Sequence, residues 1–163
     1  MKAGARKRKS AGILLYRRRG ADGIEVMLVH PGGPYWAKKD VGAWSVPKGE
    51  FDDDEDPAAA ARREFAEETG TELSGDLLPL GSIRQKNGKE VVAWALERDF
   101  DCAALRSNTF RMEWPPKSGR MAEFPEVDRA AWFTPEEART KMHAGQAALV
   151  DRLLEHLETD APS

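Results

Sequence analysis

Apolar residues fall into short blocks along the first part of this chain. Residues 11–16 and 24–30 are runs rich in Ile, Leu and Val, separated by Arg-Gly-Ala-Asp-Gly, which predicts strand, turn, strand. Residues 30–47 break the pattern: Gly32, Gly33, Pro34, Gly42 and Pro47 are interleaved with Tyr35, Trp36, Lys38, Lys39 and Trp44, as in a binding loop. A helix is predicted over residues 58–69, because Asp56 can cap free amides, Pro57 suits the first turn and Gly70 supplies a stop. Residues 78–84 and 90–96 flank Lys86-Asn87-Gly88-Lys89 and predict a hairpin. Residues 100–125 hold Pro115, Pro116, Gly119 and Pro125 without a sustained period and read mainly as a long excursion. A short strand at 130–133 follows, then a helix opened by Thr134-Pro135-Glu136-Glu137. A last helix runs from about Gln146 to Leu157, its apolar face formed by Leu149, Val150, Leu153, Leu154 and Leu157. Strands and helices mix without regular alternation, so the expected class is α/β (α+β), helices packed around a mixed sheet.

The helix after Pro57 carries the chemistry. At 100° per residue, with Glu64 at zero, Glu67 lies near −60° and Glu68 near +40°, so three carboxylates share one stripe. Ala58, Ala61, Phe65 and Thr69 form an adjoining face suited to packing on a sheet. Like charges at these spacings weaken a helix, and a divalent cation with a preference for hard oxygen ligands would offset the repulsion. Spacing alone makes a metal site geometrically feasible, and on spacing alone a solvated acidic face is the preferred reading.

Composition narrows the picture. The length suits one domain, with residues 1–10 as a flexible basic tail and 11–160 as the domain. The formal charge of −3 hides an asymmetry, since Lys2, Arg6, Lys7, Arg8 and Lys9 precede the first acid and leave the rest at −8. Such a tail reads as solvated, so a nucleic-acid partner is not expected. The single cysteine, Cys102, excludes an intramolecular disulfide and suits a reducing cytoplasm. The apolar run at 11–16 is too short for a signal-peptide core or a membrane span. Oligomeric state is not legible.

The segment from Gly49 to Thr71, GEFDDDEDPAAAARREFAEETGT, resembles the signature box of the Nudix hydrolases. Gly49, Glu55, Arg63, Glu64, Phe65, Glu67, Glu68 and Gly70 match its fixed positions at the right spacing, and only Thr71 departs, where an aliphatic residue is usual. Trp44 to Gly49 is similar to the Trp-x-x-Pro-Lys-Gly lead-in of many members, and Ala131 to Ala138 to their closing strand and helix.

The resemblance implies an α/β/α sandwich and Mg²⁺-dependent hydrolysis of a phosphoanhydride bond, with Mn²⁺ as an alternative ion. It implies Glu64, Glu67 and Glu68 as metal ligands, the Lys48 carbonyl completing the sphere, Glu55 supporting from further out and Arg63 orienting the carboxylates. The general base would be Glu64 or an acid from a later loop, for which Glu126 is the leading candidate and Glu123 the weaker one. Substrate contacts would come from Lys38, Lys39, Lys48, Lys86, Lys89 and Lys117, with Tyr35 and Trp36 stacking on a base or closing over the core. The partner implied is a small nucleotide-like molecule. A looser likeness to small asymmetric dinucleoside-tetraphosphate hydrolases, in Leu-Leu-Tyr-Arg-Arg and the basic 86–89 turn, favours a dinucleoside polyphosphate. A nucleoside triphosphate, a diphosphoinositol polyphosphate, RNA-end processing and a non-catalytic nucleotide-sensing module are the alternatives.

Overall fold

The structure is a computed structural model that describes residues 9–20 and 23–160, the last two by backbone alone. Residues 1–8 of the expected tail and the middle of the first turn lie outside the described residues, while Lys9 and Ser10 already belong to a strand. Strands β1 (Lys9–Arg19) and β2 (Gly23–Pro31) pair antiparallel from Tyr16↔Val26 onward. The hairpin β4 (Leu78–Arg84) and β5 (Glu90–Glu97) joins through β5, which runs parallel to β1. On the other side β8 (Val127–Phe133) pairs antiparallel with β2, giving the order β4-β5-β1-β2-β8.

Between β1 and β2 a wedge is driven by the short strand β3 (Lys48–Glu50), which pairs with Ser10 to Gly12 of β1. The preceding segment is clamped from both sides: Ile13 N donates to Pro47 O at 3.2 Å, and Val29 and Ser45 exchange main-chain bonds at 2.9 and 3.0 Å. Gly12 makes this possible, since a Cβ there would sit 2.8 Å from Pro47 O and 2.9 Å from Lys48 Cβ. The lead-in therefore enters the sheet and brings Lys48 to Glu50 under a helix.

That helix is α1 (Pro57–Thr69), and it covers one face of the sheet. Ala60, Ala61 and Phe65 pack on Ala11, Ile13, Leu15, Met27 and Val29, and a fully buried Phe side chain alone contributes roughly 1.5–3 kcal/mol. Residues of the opposite parity, Leu14, Tyr16, Val26 and Leu28, face α2 (Pro135–Lys141) and α3 (Ala147–Asp160) through Ala138, Met142, Leu149, Val150 and Leu153. This strict alternation in β1 and β2 is why helices cover both sides of the sheet.

Two sequence expectations need correction. Residues 100–125 are not mainly an irregular excursion. They contain a single helical turn at Cys102–Ala104 and a hairpin of β6 (Thr109–Glu113) and β7 (Met121–Pro125), with Phe110 opposite Phe124. Each strand alternates exposed and half-buried residues over only five positions, too short a run to stand out beside the prolines of the tip. On α1, Ala60 is fully buried and Ala58 only partly so, although Ala60 lies within the acidic stripe. Glu64 and Glu68 of the stripe pack against β3, while Glu67 keeps 39% of its side chain exposed.

Candidate active site

Local chemistry fixes α1 at both ends. The Asp56 carboxylate accepts from Ala59 N at 3.0 Å, and Gly70, at φ 82°, donates its N–H to Ala66 O at 2.8 Å; a left-handed C-terminal residue of this kind favours glycine. The facing lead-in is fixed by buried Gln146. Its Oε1 accepts from Val46 N at 3.1 Å, while its Nε2 donates to Ser45 Oγ at 3.3 Å and to Gln85 Oε1 at 3.2 Å. Sequence reasoning missed Gln146, because nothing marks a helix-start glutamine as buried.

Held this way, α1 and β3 squeeze the acids. The Glu64 side chain is only 12% exposed, and a Cβ on Gly49 would fall on top of its carboxylate. Gly49 is thus required for close approach, not for backbone freedom. Beside it, Lys48 N donates to Glu68 Oε1 at 3.3 Å. Burial pushes the Glu68 carboxyl up to about 8, with Glu64 and Glu126 adding repulsion against the relief from Lys48. Burial raises Glu64 as well, opposed by the Arg63 hydrogen bond. Desolvation lowers the Lys48 ammonium, only partly countered by Glu68, Glu50 and Glu64.

Arg63 gathers the remaining acids. Its Nε and Nη2 donate to the two oxygens of Glu55 at 2.9 and 3.0 Å, and Nη1 donates to Glu64 at 2.8 Å and Glu67 at 3.2 Å. This fork holds Glu55 below the usual carboxylate range and raises the guanidinium itself.

Glu126 reaches the same place from another element. It sits at the corner between β7 and β8, close enough to raise both Glu64 and Glu68. A relay of main-chain bonds positions it: Asn108 N donates to Glu67 O, Glu126 N to Asn108 O and Gly32 N to Glu126 O, at 2.8, 2.8 and 2.9 Å. Any side chain on Gly32 would run into the Pro125 carbonyl. Glu123, in contrast, accepts from the Thr109 hydroxyl at 2.9 Å on the exposed hairpin.

The other candidates divide. Lys89 pairs with Glu50 at 3.5 Å beside Lys48 and so lies next to the acids, whereas Lys86 is exposed in the turn. Tyr35 and Trp36 are 57% and 41% exposed and do not close over the core. Tyr35 stands edge-on to Trp114 at 5.3 Å, bridging its loop to the β6–β7 hairpin, and Lys39 Nζ lies 5.0 Å over Trp36. Lys38 and Lys39 line a separate cleft of about 720 Å³ that none of the acids named above lines. Lys117 is exposed near the hairpin tip.

Among the described residues no three acidic, His or Cys groups converge as a ready-made metal cage, because Arg63 holds Glu64 and Glu67. The donor chemistry nonetheless fits a hard divalent cation. Glu64, Glu67 and Glu68 offer oxygens on one stripe, and the burial and repulsion that raise Glu64 and Glu68 are what a cation relieves.

A sequence model of the NUDIX domain matches residues 6–153. No curated protein matches the chain. Among solved structures, a Caenorhabditis elegans Ap4A hydrolase binary complex is similar at 23% identity and TM-score 0.63, covering 93% of this chain and 98% of that one. The NUDIX domain of Shewanella oneidensis NrtR, complexed with ADP ribose, is similar at 16% identity and TM-score 0.65, covering 95% and 91%. The MutT protein from Methanosarcina mazei Go1 is similar at 18% identity and TM-score 0.60, covering 98% and 100%. At these identities the structural likeness speaks for the fold, and it agrees with the domain match and with the acids packed between α1 and β3: the chain belongs to the Nudix family.

Proposed function

We propose that this chain hydrolyses a phosphoanhydride bond in a nucleoside diphosphate linked to another moiety, with dinucleoside polyphosphates as its substrate class and Mg²⁺ as its cofactor. The observation that carries the hydrolytic reading is that Glu68 accepts from Lys48 N while Glu64 packs on Gly49, which takes two carboxylates out of water beside a third acid from a separate corner. The substrate class is supported by the sequence likeness in the β1 opening and the 86–89 turn, and by the fold shared with the C. elegans enzyme.

In this reading Glu64, Glu67, Glu68 and the Lys48 carbonyl would hold the metal, which when bound would supply charge neutralisation on the phosphates and a more nucleophilic water. Arg63 keeps the carboxylates in one orientation and ties Glu55 behind them. Glu126 takes the proton as a water oxygen bonds to phosphorus, and the bridging P–O bond breaks to release the second nucleotide as its phosphate. Lys89 meets the polyphosphate from the β4–β5 turn, and exposed Tyr35 and Trp36 offer ring faces to a base.

The test is a panel of dinucleoside polyphosphates, nucleoside triphosphates, nucleotide sugars and diphosphoinositols, with and without Mg²⁺, with products separated by chromatography. Mg²⁺-dependent cleavage of a dinucleoside tetraphosphate into unequal nucleotides is the expected result. Cleavage of simple triphosphates alone would reject the substrate class, and binding without turnover would point to a sensor.

A further inference from the structure

The two ends of the main sheet are finished differently. At the β4 end, Arg152 Nη1 donates to Leu80 O at 3.0 Å and to Ser82 O at 2.8 Å. Leu80 falls in a bulge of β4, without a partner on β5, and Gly81 takes φ 81°; one guanidinium from α3 holds both carbonyls of this irregular stretch. At the other end β8 pairs with β2 alone; Ser107 Oγ accepts from Val127 N at 3.0 Å at the start of the strand, and among the described residues no comparable bond caps the main chain from Asp128 to Phe133.

That open edge lies in the cleft of about 720 Å³, which runs along Asp128 to Ala131. Its walls come from both layers of the fold. Cys102 and Leu105 belong to the α1 side, and Trp44 and Phe133 to the side of α2 and α3. Ala130 and Ala131 leave the floor low. The groove is therefore centred on a strand edge and open along it, the shape that takes an added strand.

Its charge selects the occupant. Lys38, Lys39, Arg129 and Lys141 line it against only two acids, in a chain whose net charge is negative. Both acids are engaged, Asp40 with Lys141 and the Trp44 Nε1–H, and Asp128 with His30 Nδ1 at 2.8 Å and with Arg129 Nε at 3.7 Å, so two positive charges remain in excess, with Lys38 and Lys39 unmatched by an acid of the groove. The excess positive charge repels a second copy of the same edge. Lys38, Lys39 and Arg129 are exposed at the rim and not buried toward the floor, which suits flanking side chains of a peptide better than a small phosphate. We propose that the β8 edge is a docking groove for an extended acidic segment of a partner protein, which adds to the sheet as a strand while its carboxylates meet Lys38, Lys39 and Arg129. This inference is independent of the substrate assigned above.

The probe is a fluorescent alternating Glu-Val peptide, titrated with the full chain at low salt and followed by anisotropy, with a Lys-Val peptide as control. The acidic peptide should bind and weaken as salt rises, and the basic one should not. N-methylation of the pairing amides should weaken binding at least about tenfold, as should Arg129→Glu in a protein of unchanged unfolding temperature. Hydrogen exchange should slow in the wild-type complex at the alternate amides of residues 129–132 that face away from β2. Equal affinity for the N-methylated peptide, unchanged exchange along β8, competition by inorganic phosphate at matched ionic strength, or no binding at all would each overturn the proposal.

Discussion

The acids of α1 and the lysines at residues 38–39 are both charge clusters beside loops, yet the fold treats them in opposite ways. Around α1 it removes charge from water: Glu64 is packed on Gly49, Glu68 is pushed up to about 8, and the Lys48 ammonium is lowered. At the β8 edge it leaves charge in water, with Lys38, Lys39 and Arg129 exposed. Desolvated charges interact strongly and are costly to leave unpaired, whereas exposed ones steer and select. The difference agrees with the roles proposed for the two regions, chemistry for the first and recognition for the second.

Breaking the comparison at its strongest point means removing one desolvated charge. Glu68→Gln should lower kcat by about a thousandfold, the scale of losing a group that acts on transition-state charge. The same variant should remove a pH slope. A buried carboxyl with its pKa raised from 4.5 to about 8 holds its proton in the folded state over a range where the unfolded chain releases it. Metal-free wild type should therefore lose stability as pH rises from about 4.5 to about 8 and level off above. Urea unfolding in chelator should give a flatter profile for Glu68→Gln, with a gain on the order of 1–3 kcal/mol at pH 8. Equal slopes would show that Glu68 is solvated.

Gly49→Ala tests the close approach itself. The added methyl must displace Glu64 or open β3, so activity should fall about a hundredfold, with a stability loss of about 1–3 kcal/mol in thermal unfolding. Gly32→Ala acts one step further away, through Pro125 and the Glu126 main chain. It should lower kcat about tenfold with little change in KM if Glu126 is the base, and a change in KM alone would make that corner a substrate contact. The smallest effect belongs to the capped sheet edge: Arg152→Gln should cost about 1 kcal/mol and leave turnover unchanged.

Legibility followed the same division. The α1 helix, its caps and its acidic stripe were readable because 3.6-residue periodicity, Asp56, Pro57 and Gly70 agree locally. β1, β2, β4 and β5 were readable from apolar runs and the Asn87-Gly88 turn. Burial of the stripe was not, since it depends on β3, three residues wedged between β1 and β2 by Gly12 and Gln146 from distant parts of the chain. The β6–β7 hairpin escaped for want of length. The positions of Lys38 and Lys39 escaped because a loop's direction is set by what it docks on, here the buried His30, whose Nε2 contacts the Lys39 carbonyl at 2.6 Å.

The metal-binding role proposed for the desolvated carboxylates of α1 underlies every step of the hydrolysis. Its most direct test is hydrolysis of a dinucleoside tetraphosphate by wild type and Glu68→Gln across a Mg²⁺ titration, with circular dichroism confirming that both fold. Wild type should turn over substrate only with Mg²⁺, and the folded variant should lose nearly all activity, which added Mg²⁺ does not restore. Equal turnover of the two proteins at saturating Mg²⁺ would contradict it.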